Sequence, residues 1–181
     1  MDLLPFTAEH AATVAGWPAS PEEVLLWCGR REFPVTEETV AGWQADPEVH
    51  GYLLVEAEDG TGAGTGAEAG TRTGAGAVLG YGEVWTDAEE DEAELARVVV
   101  APAARGRGVG RVLVGALLER ARDAGFDDVF LRVHPDNAGA LRCYEGAGFV
   151  RVDPEAAAEW NAVQPVAYVW LTWPAHVADI P

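Results

Sequence analysis

The stretch "RGRGVG", Arg105 to Gly110, sets Gly106, Gly108 and Gly110 between Arg105, Arg107 and the following Arg111. It lies between a run of β-branched residues and a segment with helical spacing. A turn in that position presents backbone N–H groups that have no intrahelical partner, and glycine lets the backbone close around an anion, so the chemistry it offers is phosphate binding. A nucleotide-hydrolysing loop, G-x-x-x-x-G-K-[ST], is disfavoured: the spacing is missing and the chain has no lysine. The glycines could also serve a tight turn and nothing more, and the loop alone leaves both readings open. A second glycine pattern, Gly64, Gly66 and Ala69, satisfies G-x-G-x-x-A but reads as a decoy, because no apolar helix follows it.

The elements that must hold the loop are legible on either side. "ELARVVVA" (94–101) reads as a strand stopped by Pro102. From Val109 the apolar positions 109, 112, 113, 116 and 117 have the spacing of an amphipathic helix ending near Gly125. "DVFLRVH" (128–134) reads as the next strand, so strand, helix and strand form a βαβ unit with parallel strands and a right-handed crossover. A short helix follows from about Ala138 to Glu145, with Asn137 as a candidate N-cap and Gly148 as its exit.

Further out, "DLLPF" (2–6) reads as an edge strand and 8–15, 20–28 and 36–45 as helical patches, the last capped at Thr36. Segments 51–57 and 77–85 read as neighbouring antiparallel strands joined by a low-complexity, flexible tip over 58–77 that should tolerate deletion. "FVRV" (149–152) and "VAYVWLTW" (166–173) close the set, with 155–165 as a loop between them. The expected class is α+β with a mixed sheet, and residues 1–181 read as one domain.

Composition narrows the function. There are 30 acidic residues against 12 basic ones, a net charge of −18, which disfavours nucleic acid and anionic membranes as partners and attracts cations such as protonated amines. Acidity of this kind also serves solubility alone. No stretch approaches the roughly 20 apolar residues of a membrane span. Met1 to Phe6 lack the pattern of a signal peptide, and Cys28 and Cys143 are too few for a disulfide framework or a zinc site. A cytoplasmic location is the expectation, and no metal is expected.

"VVVAPAARGRGVGRVLV" resembles the R/Q-x-x-G-x-G/A segment of GNAT acetyltransferases, with Arg105, Gly108 and Gly110 in the motif positions. "LRVHPDNAGALRCYEGAGF" (131–149) resembles the family's second segment, with Asn137, Tyr144, Gly148 and Phe149 matching. The two together cover residues 94–150; the N-terminal third and the last thirty residues match nothing specific. The resemblance implies a GNAT fold: a mostly antiparallel central sheet flanked by helices, with a βαβ core that binds acetyl-CoA as cosubstrate. It places the pyrophosphate on backbone amides from Gly106 through Arg107, Gly108, Val109 and Gly110 to Arg111. The pantetheine arm would pair with the backbone of Val98, Val99 and Val100, which requires that edge to splay from 128–134. Asn137 would touch the cosubstrate, although capping alone accounts for it equally well.

Acyl transfer to an amine needs a neutral amine, a polarised carbonyl and a proton for the departing thiolate. By the resemblance, the amide of Val99 or Val100 polarises the carbonyl and Tyr144 donates the proton, the alternative for Tyr144 being a core position. Glu94 stands where histone-type members carry their base, and strand alternation places it on a face with Ala96, Val98 and Val100. Its other reading is a solvated residue. Glu83, His134 and a water route remain alternatives, and Arg132 occupies the position where other members carry a glutamate. Trp17, Trp27, Trp43, Trp160 and Asn161 are candidates for the acceptor pocket, with Trp160 and Asn161 overhanging the acetyl group; Trp170 is expected in the core.

The expected function is acetyl transfer from acetyl-CoA to a primary amine, a small molecule or a peptide, by direct attack in a ternary complex. The competing readings are an acyl-CoA-binding sensor of the same fold and an interaction domain whose glycine loop is only a turn. Acceptor identity, acyl-chain length and oligomeric state stay open at this point.

Overall fold

In a computed structural model, which describes residues 1–57, 72–73 and 76–174, the valine-rich and aromatic runs of the sequence form one sheet. The elements in chain order are β1 (Asp2–Pro5), α1 (Ala11–Ala15), α2 (Pro21–Cys28), α3 (Glu37–Gly42), β2 (Val49–Val55), β3 (Arg72–Thr73) and β4 (Gly76–Asp87). They continue with β5 (Glu92–Val100), α4 (Val109–Asp123), β6 (Asp128–Val133), α5 (Ala138–Gly146), β7 (Val150–Arg151), α6 (Pro154–Asn161) and β8 (Val169–Thr172). The strand order is β1-β2-β4-β5-β6-β8-β7, with β3 folded back on the start of β4. Only β5 and β6 run parallel among these pairs, as the βαβ spacing requires. Most of the 58–77 tip, including Gly64, Gly66 and Ala69, lies outside the described residues.

Helix α4 seats its apolar stripe, Leu113, Val114, Leu117 and Leu118, on one face of the sheet. Each such side chain contributes roughly 1.5–3 kcal/mol when fully buried. The approach is close because β4 offers glycine there: a Cβ on Gly80 would stand 2.9 Å from Leu113 Cδ2, and one on Gly82 2.6 Å from Leu117 Cδ1. The other face of β4 carries Tyr81 against Phe6 and Trp43.

The β4–β5 register shifts between Tyr81 and Glu83, where Arg97 takes a positive φ of 46°. This bulge corrects the alternation expected from sequence. Glu94 and Ala96 oppose Trp85 and Glu83, whereas Val98 and Val100 have switched to the α4 side, close to Gly82 and Gly110. One extra residue in a strand inverts every side chain beyond it, so Glu94 does not share a face with Val98 and Val100.

The C-terminal region brings a second correction. Residues 155–165 are not all loop, because Asp153 accepts the Glu155 amide, Pro154 opens the first turn and the alanine-rich run continues as α6.

Candidate active site

Pairing of β5 with β6 stops at Glu94 opposite Phe130. Beyond it the two strands part, as the splay requirement anticipated, and the β5 edge from Leu95 onward has no strand beside it among the described residues. A cleft of about 670 Å³ opens along that edge. Its walls include Val98, Val99, Val100, the loop glycines Gly106, Gly108 and Gly110, and Asn137, Cys143 and Tyr144 of α5 and its cap.

At the head of the cleft Gly106 and Gly108 have φ of 74° and 80°, the left-handed conformation that glycine adopts without strain. The loop hydrogen bonds are donated by Ala104 and Arg105 before it and by Arg111 and Val112, both to the Gly108 carbonyl, after it. The amides of Gly106 to Gly110 find no acceptor among the described residues, and together with the N-terminus of α4 they form an anion cradle. Gly110 is required for another reason: a Cβ there would stand 2.9 Å from Cys143 Sγ. Arg107, Arg111 and Arg142 add positive charge nearby, Arg111 and Arg142 lining the cleft. Arg105 is different. Its guanidinium pairs with Glu23 at 3.2 Å, and its Nε donates to the Val100 carbonyl at 3.2 Å. Its hydrogen bond holds the Glu23 carboxyl below its ordinary range. The side chain therefore ties α2 to the loop.

Asn137 caps α5 by accepting the Ala140 amide at 3.1 Å, while its Nδ2 donates to the Leu26 carbonyl at 3.4 Å. Both ends of the amide thus have structural partners, although the residue lines the cleft. Tyr144, two turns beyond that cap on α5, is buried, and burial pushes its phenol above the ordinary range. Its hydroxyl has no partner among the described residues and is not fully enclosed, and the residue lines the cleft.

Leu26, Trp27, Val98, Asn137, Ala140 and Tyr144 are shared with a second cavity of about 340 Å³ that leads on from the first. Glu94 lines it, in an ion pair of 3.0 Å with Arg132. Burial pushes the Glu94 carboxyl up to about 7, with the Arg132 guanidinium pulling against that rise. Glu94 and Trp85 also border a hollow of about 240 Å³ lined by Asp46, Glu48, Asp87 and Glu92. His134 lines the 340 Å³ cavity with its Nδ1 3.3 Å from the Asp136 amide.

Glu83 is removed from the candidate bases. It is fully buried and accepts hydrogen bonds from the Tyr81 hydroxyl, from Trp85 Nε1 at 2.6 Å and from Arg97 Nη1 at 2.8 Å. Its carboxylate holds the bulge together and does not line the 340 Å³ cavity. Trp160 and Asn161 do not overhang the cavity either. Trp160 packs on Phe130 and Trp170, and Asn161 pins the following loop through Tyr168 and Trp170. That loop delivers Gln164, Pro165 and Tyr168 to the cavity instead. Trp17 is core, Trp27 lines both cavities, and Trp43 stacks on Arg97. Arg97 was missed in the sequence, where the only signal was one charge inside a valine-rich strand.

The model of the Acetyltransferase (GNAT) family matches residues 6–149. A mycothiol acetyltransferase of Rhodococcus erythropolis is 46% identical over 72 residues, which cover 38% of this chain and 24% of that protein. The chain spans between 16% and 27% of the length of these curated relatives. Among solved structures, spermidine N-acetyltransferase of Vibrio cholerae in complex with CoA and spermine aligns at a TM-score of 0.65 and 13% identity, over 94% of this chain and 92% of that one. Aminoglycoside acetyltransferase AAC(6')-Ib in complex with coenzyme A aligns at 0.63 and 22%, over 96% and 95%. At such identities the likeness is one of fold. No helix among the described residues is long and apolar enough to cross a membrane. With the family model covering most of its length, the chain belongs to the GNAT acetyltransferase family.

Proposed function

We propose that the chain is an acetyltransferase that moves the acetyl group of acetyl-CoA to a primary amine by direct attack in a ternary complex. The observation that carries this reading is the position of Tyr144, which lines both the 670 Å³ cleft and the 340 Å³ cavity and whose hydroxyl has no partner among the described residues.

The residues fit such a cosubstrate. Amides from Gly106 to Gly110 provide the anion cradle, and the unpaired edge at Val98 to Val100 offers a strand-like surface for an amide-containing arm. Acetyl-CoA supplies an activated acyl group as a thioester. In our reading, the backbone N–H of Val100, which faces the open edge, polarises the carbonyl, acting without reorganisation because the strand fixes it. Tyr144 holds a proton for the sulfur, and burial keeps its phenol neutral until it is needed.

Glu94 is the proposed base. With its carboxyl near 7 it can take a proton at neutral pH, and the acidic hollow beside it offers a water route outward. His134 is the alternative base in the same cavity.

The test is thiol release from acetyl-CoA with and without a panel of amines, on wild type and Tyr144→Phe in parallel. Amine-dependent release that falls in the variant establishes the activity. Tight acetyl-CoA binding with no release for any amine overturns it in favour of a sensor.

A further inference from the structure

The 340 Å³ cavity contains two guanidinium groups with donors to spare. Arg97 donates only Nη1, to Glu83, and its Nε and Nη2 have no partner among the described residues. Neither atom is fully enclosed, and Arg97 lines the cavity. The group is fixed: it lies 4.2 Å above the Trp43 ring and 4.8 Å from that of Trp85, and Trp27 Nε1 holds the Arg97 carbonyl at 2.7 Å. Arg132 is held as well, by Glu94 at 3.0 Å and by Gln164 Oε1 at 3.1 Å, and its Nη2 has no partner among the described residues.

The positive φ at Arg97 places a residue other than glycine where its backbone is strained, which is where a fold holds a group for a purpose. Two immobilised forks with unused donors match the planar oxygens of a carboxylate. Glu83 engages Arg97 through Nη1 and Glu94 engages Arg132 through Nε, which leaves other donors of each fork for a ligand carboxylate.

We infer that the acceptor is an amine that also carries a carboxylate, bound by Arg97 with Arg132 beside it, and that Arg97 determines this specificity. The inference rests on the acetyltransferase reading for the ammonium end, which lies at Glu94 and Tyr144. Free amino acids and the C-terminal residue of a short peptide share this chemistry.

The experiment compares matched amines on wild type: L-lysine with cadaverine, L-phenylalanine with phenethylamine, a lysine-ending dipeptide with its C-terminal amide, and spermidine. Thiol release gives kcat/KM, and thermal stabilisation in the presence of CoA gives binding without turnover. The expected result is at least a tenfold higher kcat/KM for each carboxylate-bearing member that binds, mainly through KM, with the dipeptide arm separating the two sources. Arg97→Gln should bring the ratio close to one, and Arg97→Lys, which keeps a cation beside Glu83, should retain part of it. Equal or better turnover of the decarboxylated or amidated amines by wild type overturns the inference while leaving the acetyltransferase reading intact. Selective stabilisation by carboxylate-bearing amines without thiol release supports the inference and overturns the acetyltransferase reading.

Discussion

At the residue scale, the proposed mechanism divides the proton transfers between two side chains, and burial raises the pKa of both. Tyr144 is pushed up and stays neutral, so it is a donor over the whole working range. Tyr144→Phe removes the donor with little change in volume and should lower kcat by roughly 10²-fold or more, the usual range for acid catalysis. A kcat equal to that of wild type would remove Tyr144 from the mechanism. Glu94, raised to about 7, must be ionised to act as a base, so kcat/KM should climb with pH through about 7. Glu94→Gln should abolish that rise; a profile that keeps it places the base at His134 or at water. The same group makes a stability prediction. In the unfolded chain Glu94 ionises near 4.5 and in the native state near 7, so the native form holds the extra proton between those values. Stability therefore falls as pH rises through that window, by about 3 kcal/mol from this one group. Denaturant titrations at pH 5 and pH 8 should show a smaller difference in Glu94→Gln than in wild type.

At the scale of elements, β2 and β4 already meet beyond the ends of the segment that joins them, since the Glu56 amide donates to the Ala77 carbonyl at 2.9 Å. Replacing residues 58–75 by a short glycine-containing turn should preserve the fold and raise stability by about 1 kcal/mol, the loop-closure gain of a severalfold shortening. A cooperative unfolding transition at or above that of wild type is the expected result; loss of the transition would show that the segment contributes packing. How far such elements were legible depended on the length of their repeats. The α4 period, the βαβ spacing and the caps at Thr36 and Asn137 each act through neighbours in sequence, and each was read correctly. The bulge at Arg97 was not, because it is set by Glu83, Trp43 and Trp85 on other elements. For the same reason sequence alternation misplaced Glu94, and Glu83 looked available although its three donors come from Tyr81, Trp85 and Arg97. Helix α6 was a different miss: its cap, Asp153 followed by Pro154, is local and was there to be read.

At the scale of the whole molecule, the cleft is a junction. Leu26 and Trp27 come from α2, Val98 to Val100 from β5, Gly106 to Gly110 from the loop and first turn of α4, and Cys143 and Tyr144 from α5. Among these, α2 is joined to the loop chiefly by the exposed Arg105–Glu23 pair, a kind of contact worth about 1 kcal/mol at most. A ligand that lies along β5 with its anionic end in the amide cradle bridges all four elements, and it binds the native state alone. At 100 times its dissociation constant, acetyl-CoA should therefore add about 2.7 kcal/mol of stability. For a chain of this size that is a rise in Tm of roughly 5–10 °C. The net charge of −18 sets the condition of the measurement. Long-range repulsion of a polyanion is strongest at low salt, where the Debye length is about 30 Å at 0.01 M against about 8 Å at 0.15 M, so the titration belongs at physiological ionic strength. A rise in Tm that grows with acetyl-CoA concentration places the ligand in the folded protein. An unchanged Tm at millimolar acetyl-CoA would reduce the glycine loop to a turn and remove the basis for assigning Tyr144 and Glu94 any chemistry.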